Sequence, residues 1–146
     1  MANPFKIRVE HVSKIFGPDP KAALAKVNAG MSKTDLLAQT GSILGLHDIN
    51  LNIRAGETFV IMGLSGSGKS TLIRHFNRLI EPTAGRILVD DVDVLSLNEA
   101  DLRAFRRKKI SMVFQRFALL PHKTVMENVI YGLIIDGMRV IVVENH

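Results

Sequence analysis

The feature that most constrains the fold of this chain is a glycine-rich loop between an apolar run and the start of a helix. From Gly63 onward the sequence follows the pattern Gly-x-x-x-x-Gly-Lys-Ser, which is that of a phosphate-binding loop. The apolar residues 59–62 before it predict a buried strand. A coincidental glycine- and serine-rich turn would share this composition, but a strand before it and a helix after it favour the phosphate-binding interpretation.

Each part of the loop has a chemical reason to be there. Glycine lets backbone N–H groups approach phosphate oxygens where a Cβ would block them, and the positive end of the following helix faces the same anion. Lys69 can reach terminal phosphates, and the Ser70 hydroxyl can bind Mg²⁺. The predicted phosphate-site residues are Gly63, Leu64, Ser65, Gly66, Ser67, Gly68, Lys69, Ser70 and Thr71. The sequence therefore predicts a nucleoside triphosphate site.

Composition narrows the class of protein. The chain has 146 residues, of which 47% are hydrophobic and 23% charged, and this balance is typical of a folded domain rather than of disorder. No apolar run approaches the roughly 18 residues of a membrane span, and the first residues lack the apolar core of a signal peptide. The absence of cysteine excludes disulfides and thiolate sites, and it fits the cytoplasm.

The net charge of +5 is partly concentrated in residues 103–109, which contain five basic side chains. Such a run could contact nucleic acid, anionic lipid or an acidic partner, but a solvated helix face is the favoured interpretation. No aromatic residues alternate with the charges in the way that base stacking requires, so we expect no nucleic acid partner. The five histidines are scattered and predict no metal site.

Two strands and two helices are predicted before the strand that leads into the loop. Residues 6–12 alternate as a half-buried strand does, residues 21–41 are helical, and residues 46–53 alternate again. Within the helical part, Gly30 ends one helix and Ser32-x-x-Asp35 begins the next. A turn at residues 54–57 is expected to place the second strand against the strand that leads into the loop.

The elements after the loop follow from apolar periodicity and helix caps. The helix that leaves the loop is predicted to continue to Pro82, with one apolar stripe formed by Leu72, Ile73, Phe76, Leu79 and Ile80. Residues 85–94 predict short strands around Asp90 and Asp91, which form either a polar hairpin tip or a carboxylate pair for Mg²⁺. Capping boxes at residues 96–99 and 124–127 predict two further helices, and residues 110–114 predict a strand.

Two single residues complete the predicted site. Phe16 follows the first strand and is either a core residue or a platform for a nucleotide base. Gln115 stands at the carboxyl end of the predicted strand 110–114, the edge where ligands collect in open α/β sheets. Its amide oxygen can bind Mg²⁺ and hold an attacking water, which makes Gln115 and Lys69 the predicted catalytic residues.

These motifs together resemble the ATP-binding subunit of ABC (ATP-binding cassette) transporters. Residues 63–71 are similar to Walker A, Phe16 to the aromatic residue that stacks on adenine, and residues 113–122 to the Q-loop with its glutamine at Gln115. A helical insert at about residues 20–45 resembles that of glycine betaine/L-proline importer subunits, and the resemblance covers about residues 5–135. It implies an α/β fold with a P-loop NTPase core, an N-terminal antiparallel β-subdomain and the helical insert, forming one ATP-binding domain over residues 1–146.

The resemblance also implies cofactors and partners. ATP would bind with Mg²⁺, which Ser70 and Gln115 would hold. A second ATP-binding subunit would complete the site, and a transmembrane permease would dock at the Gln115 region and receive its substrate from a binding protein. Such subunits lie in the cytoplasm on the inner face of the plasma membrane and drive uptake of osmoprotectants.

The chain departs from the family pattern in ways that bear on catalysis. It contains no Leu-Ser-Gly-Gly-Gln signature, no Walker B strand with its Asp and Glu, and no switch histidine, so a truncated form with weak Mg-ATP affinity and little hydrolysis is expected. Asp91 and Arg116 also differ from the residue types usual in the family. Two alternatives stay open: a non-catalytic nucleotide-binding module that docks on the permease, and a different P-loop ATPase or kinase.

Overall fold

The computed structural model describes residues 4–114 and 119–138. Its strands are β1 (Phe5–Phe16), β2 (Ile43–Arg54), β3 (Ala84–Val89) and β4 (Val92–Asp93), and its helices are α1 (Pro20–Asn28), α2 (Lys33–Thr40), α3 (Lys69–Phe76), α4 (Glu99–Lys108) and α5 (Val125–Ile135). The chain divides into two compact units, residues 1–102 and residues 103–146. The phosphate loop, the sheet and helices α1 to α3 belong to the first unit.

The sheet has the strand order β2-β1-β3-β4, and every neighbouring pair is antiparallel. The predicted strands 6–12 and 46–53 are confirmed, and both are longer than their alternating patterns suggested. Phe16 is the last residue of β1 and pairs with Ile43 at the start of β2. The predicted base platform is therefore held by a strand pair and does not lie in a loop beyond it.

The hairpin between β3 and β4 confirms the polar tip predicted at Asp90 and Asp91. Val89 pairs with Val92, so the two aspartates alone form the turn, and both have positive φ angles as a type I′ turn requires. Their carboxylates bind cations of β1: Lys6 lies 2.6 Å from Asp90, and Arg8 lies 2.8 Å from Asp91. Because each carboxylate is already paired with a cation of β1, the structure favours the polar tip over a carboxylate pair for Mg²⁺.

The helical insert covers the end of the sheet that carries Phe16. Ser32 Oγ accepts the Asp35 N–H at 3.1 Å and caps α2, as predicted. The apolar side chains of α1 and α2 meet the sheet in one buried cluster, whose members are Ile15, Ala23, Leu24, Val27 and Leu36. Because Ile15 precedes Phe16 in β1, the insert anchors the strand end next to the predicted platform.

Two adjacent leucines of α2 allow the contribution of this cluster to be measured. Leu36 is fully buried, whereas Leu37 is 51% exposed. We expect Leu36→Ala to lower the free energy of unfolding by about 2–5 kcal/mol, because it opens a cavity, and Leu37→Ala to lower it by less than about 1 kcal/mol. Urea unfolding followed by circular dichroism measures both; equal losses would show that the insert is not packed on the sheet.

The buried strand predicted for residues 59–62 is wrong. This segment forms no strand, and three of its four apolar residues are exposed, with Phe59 43% and Met62 87% exposed. The turn at Arg54 and Glu57 is present, with the Glu57 carboxylate accepting the Arg54 N–H at 2.7 Å, but β2 pairs with β1 and not with this segment. A strand needs a neighbour for its backbone hydrogen bonds, and no described segment pairs with residues 59–62.

The helix that leaves the loop is also shorter than predicted. α3 ends at Phe76, and the N–H groups of Leu79 and Ile80 both bond to the Arg74 carbonyl, which closes the helix before Pro82. Of the predicted stripe, Leu72 is buried, but Ile73 and Leu79 are 42% and 50% exposed. The backbone leaves the helix at Arg78, whose φ is +53°.

Helix α4 is capped by a different residue from the predicted one. Asn98 Oδ1 accepts the N–H groups of Ala100 and Asp101 at 2.9 Å each, whereas the Ser96 hydroxyl donates to the Asp93 carbonyl. The predicted box of Ser96 and Glu99 is therefore wrong, because Asn98 is a better-placed acceptor. Leu102 and Phe105 of α4 are buried while Arg107 and Lys108 are exposed, which agrees with a solvated basic face.

The second predicted capping box is confirmed. Thr124 and Glu127 bond to each other's backbone N–H groups at the start of α5. The Thr124 N–H and the Lys123 ammonium, both bonded to the Glu127 carboxylate, hold the pKa of that carboxyl below its usual range. The strand predicted for residues 110–114 is wrong: these residues form no strand, and Val113 is 99% exposed. Within the described ranges, no helix is both long and apolar enough to cross a membrane.

Candidate functional site

The predicted phosphate loop leads into α3 through a left-handed glycine. Gly68 has a φ of +92° and precedes Lys69, the first residue of α3, with no side chain capping the helix. The free N–H groups of the first helical turn are therefore not used by a capping side chain, which is the condition for binding an anion at a helix start. Ser70 is exposed and Thr71 is half-buried on this turn.

The Lys69 side chain folds back over the loop. Its Nζ donates to the carbonyl oxygens of Gly63 at 2.7 Å and Leu64 at 2.6 Å, and it lies 3.3 Å from the Ser67 hydroxyl. All three partners are neutral oxygens of the loop itself. A phosphate group would be a stronger partner, because its negatively charged oxygens attract the ammonium group more strongly than neutral carbonyl oxygens do.

A line of close contacts joins the loop to Phe16. A Cβ on Gly68 would lie 2.7 Å from the Gly45 carbonyl oxygen, and a Cβ on Gly45 would lie 2.8 Å from Cε2 of the Phe16 ring. Gly45 in β2 therefore separates the loop from the ring by the thickness of one backbone. The structure thus brings together Phe16 and the loop, which lie about fifty residues apart in the sequence.

Phe16 is not a core residue. Its ring is 39% exposed, and the ammonium group of Lys14 lies over it at 5.1 Å from the ring centroid. Lys14 Nζ also donates to the Glu81 carbonyl at 2.8 Å. The core alternative for Phe16 is therefore wrong, and a partly open aromatic surface is available beside the loop.

His75 is a buried polar residue that the sequence did not single out. Its Nδ1 lies 2.6 Å from the Thr71 carbonyl, and its Nε2 is buried with no hydrogen-bond partner in the described part of the chain. Burial lowers the pKa of His75, and the charge of Lys14 lowers it further, although the Thr71 contact acts in the opposite direction. The neutral ring supports the helical turn that follows the loop.

The remaining predicted residue, Gln115, lies outside the described residues. The proposed roles of Gln115 and Ser70 in holding Mg²⁺ therefore stay predictions. Three residues that shape the site were missed by sequence reasoning: Lys14, Gly45 and His75. Only Lys14 carried a signal, since residues two apart in a strand share a face and Lys14 precedes Phe16 by two.

Comparison with known proteins places this site in a family. A family model described as ABC transporter matches residues 46–146, a range that includes the whole loop. The chain belongs to the ABC transporter family. This membership sets aside the alternative of an unrelated P-loop kinase.

The relatives of this ABC transporter chain narrow the family further. It is 51% identical over 134 residues to the glycine betaine/proline betaine transport system ATP-binding protein ProV of Escherichia coli. The matched residues cover 92% of this chain and 34% of ProV. It is 53% identical over 135 residues to the glycine betaine transport ATP-binding protein OpuAA of Bacillus subtilis, with coverages of 92% and 32%. The chain thus spans about a third of the length of these relatives.

A solved structure confirms the predicted fold class. The ATP-binding cassette MJ0796, in a dimeric post-hydrolysis state bound to ADP and phosphate, matches 93% of this chain and 50% of its own with a TM-score of 0.70 at 32% identity. The predicted α/β architecture, with its P-loop core and antiparallel sheet, therefore agrees with an ABC cassette. This chain divides into two compact units, and the prediction of one domain over residues 1–146 stays a prediction.

Proposed function

We propose that this chain is the nucleotide-binding part of an ABC importer for glycine betaine-type osmoprotectants. The observation that carries the proposal is the contact line from Gly68 through Gly45 to Phe16, which places a phosphate loop and an exposed aromatic ring on either side of one backbone. A nucleoside triphosphate has a charged phosphate end and a flat aromatic base, joined by a ribose. The two halves of this site match those two chemistries.

Each residue of the site has a proposed task. The backbone N–H groups of residues 63–71 surround the phosphates, and Lys69 exchanges its carbonyl partners for phosphate oxygens. The Phe16 ring stacks on the base, a contact worth about 1–3 kcal/mol per base in other proteins. Ser70 and Gln115 hold Mg²⁺, which neutralises phosphate charge when it is bound. All of these roles concern binding and orientation of the nucleotide.

The importer assignment rests on the named relatives. ProV and OpuAA are glycine betaine transport subunits, and their identity of 51% and 53% extends over nine-tenths of this chain. We infer that residues 1–146 form part of one ATP-binding domain that pairs with a second such subunit. The pair would dock on a transmembrane permease through the Gln115 region, at the inner face of the plasma membrane, with a binding protein supplying the substrate.

Nucleotide binding is the part of the proposal that can be tested directly. Isothermal titration calorimetry with Mg-ATP should show saturable binding, and Mg-ATP should raise the melting temperature as its concentration rises, since a ligand that binds only the folded state stabilises it. Chelating Mg²⁺ should weaken both effects. Neither heat nor a shift in melting temperature over the millimolar range of Mg-ATP would refute the proposal.

The partner is tested separately. The purified chain should sediment with membrane vesicles that contain a glycine betaine permease and stay in solution with vesicles that lack it. Equal sedimentation with both kinds of vesicle would refute docking on the permease. It would leave the nucleotide experiment unaffected, because that experiment uses no membrane.

A further inference from the structure

The Phe16 ring is held by two residues that have no role assigned so far. Lys14 places its ammonium group over the ring at 5.1 Å from the centroid, and Gly45 lies against the Cδ2–Cε2 side of the ring. Both neighbours belong to the strand pair of β1 and β2. The ring is therefore in contact with neighbours on two sides, although Phe16 is 39% exposed.

The ammonium group of Lys14 contacts the segment that follows α3 as well as the Phe16 ring. Its Nζ donates to the Glu81 carbonyl at 2.8 Å, in the segment that follows α3. That segment is itself tied to β1 on both sides of Lys14, because the Thr83 N–H bonds to the Ser13 carbonyl at 2.8 Å and the Thr83 hydroxyl accepts the Ile15 N–H at 3.0 Å. The ammonium cannot leave the ring without giving up its bond to Glu81.

Gly45 leaves the ring no room to move further towards β2. A Cβ at this position would lie 2.8 Å from Cε2 and 3.3 Å from Cδ2 of Phe16, and 3.3 Å from the Lys14 carbonyl oxygen. Contacts under about 3.0 Å force a displacement, and the exposed ring is the more mobile partner. Any side chain at residue 45 would therefore turn the ring away from its present position.

We propose that Lys14 and Gly45 are positioning residues that orient the Phe16 ring and thereby set how strongly the site prefers a nucleotide over its bare phosphate chain. The inference rests on the proposed nucleotide site and goes beyond it in naming what controls the base contact. A free exposed ring samples several rotamers and loses part of its stacking energy in being ordered. A ring held in advance by a cation over it and a backbone beside it avoids that loss.

The experiment compares two ligands that share phosphates and differ in the base. Calorimetry gives the dissociation constants of Mg-ATP and of magnesium tripolyphosphate for the whole chain, and their ratio measures the contribution of base and ribose. Lys14→Met keeps a long unbranched side chain and removes its charge, so the ratio should fall about two- to fivefold. Lys14→Arg keeps a cation over the ring and should restore most of the ratio.

Lys6→Met is the matched control, since Lys6 belongs to the same strand and pairs with Asp90 at the far hairpin. It should leave the ratio unchanged. Gly45→Ala should lower the ratio at least as much as Lys14→Met, while tripolyphosphate affinity changes little. In a Phe16→Ala background, neither Lys14→Met nor Gly45→Ala should lower the ratio further, because both act through the ring.

The outcomes separate the two proposals. A wild-type chain that binds neither ligand refutes the proposed function. A wild-type chain that prefers Mg-ATP, with the same ratio in Lys14→Met and Gly45→Ala, overturns only the positioning role. A higher ratio in Lys14→Met also overturns it, because it would mean that the ammonium blocks the ring. Tripolyphosphate binding and the melting temperature show in each variant that the loop and the fold are intact.

Discussion

Replacing Lys69 with alanine is expected to lower the affinity for Mg-ATP by about 10- to 100-fold, the largest loss that a single side chain of this site should cause. The ammonium now bonds to the Gly63 and Leu64 carbonyls, which are neutral, and its position over the loop lets it transfer to phosphate oxygens without a change of backbone. A charged donor to a charged acceptor contributes about 1.5–3 kcal/mol, and alanine removes it entirely.

Lys69→Ala should have little effect on folding, so a loss of Mg-ATP affinity can be attributed to binding and not to lower stability. The bonds made by Lys69 lie in an exposed loop, so we expect the melting temperature of the unliganded chain to change little. Lys21→Ala is the control, since Lys21 is exposed on α1 of the insert. Calorimetry with Mg-ATP measures all three proteins. Equal affinities of the wild type and Lys69→Ala would exclude residues 63–71 as the phosphate site.

Several signals that lie within a few residues of each other predicted local structure correctly, although the predicted box of Ser96 and Glu99 did not form. The caps at Ser32 and Thr124 were found because a side-chain acceptor and the N–H three residues later form a local bond. The turn at Asp90 and Asp91 was found because two polar residues separate two short apolar runs. These features depend on nearest neighbours in the chain and need no knowledge of the rest of the fold.

Two strand predictions failed because composition alone does not show whether a pairing partner is present. Residues 59–62 and 110–114 have the apolar composition of strands, but a strand forms only where another strand supplies hydrogen bonds. No described segment does so, and Val60 and Val113 are 67% and 99% exposed. The alternating pattern of β2 was recognised, but its partner was assigned wrongly, because alternation gives the buried face of a strand and not its neighbour.

In the candidate site, too, local sequence signals identified some residues and missed those whose role depends on the fold. The loop was identified from its spacing of glycine, lysine and serine, and Phe16 from its position after a strand. Gly45 gave no signal, because its importance lies in the ring and the loop that approach it from two other parts of the chain. His75 gave no signal either. Its imidazole, which bonds to the Thr71 carbonyl, is buried only because α3 packs against the sheet.

Replacing Gly68 with alanine is expected to cost about 2–5 kcal/mol of unfolding free energy, from two separate causes. Its φ of +92° is unfavourable for any residue with a Cβ, which costs about 1–2 kcal/mol. Its new Cβ would also lie 2.7 Å from the Gly45 carbonyl oxygen, a backbone atom of β2 that cannot turn aside, and such overpacking costs a further 1–3 kcal/mol or so.

Gly30→Ala measures the cost of the positive φ angle alone. Gly30 has a similar φ of +98°, but a Cβ there would meet no atom within 4 Å. Urea unfolding without nucleotide should therefore show a loss of about 1–2 kcal/mol in Gly30→Ala and a clearly larger one in Gly68→Ala. Equal losses would mean that the loop moves away from β2 at no cost. The contact line from Gly68 to Phe16 would then not couple the phosphate loop to the aromatic ring, and the two halves of the site would respond to mutation independently.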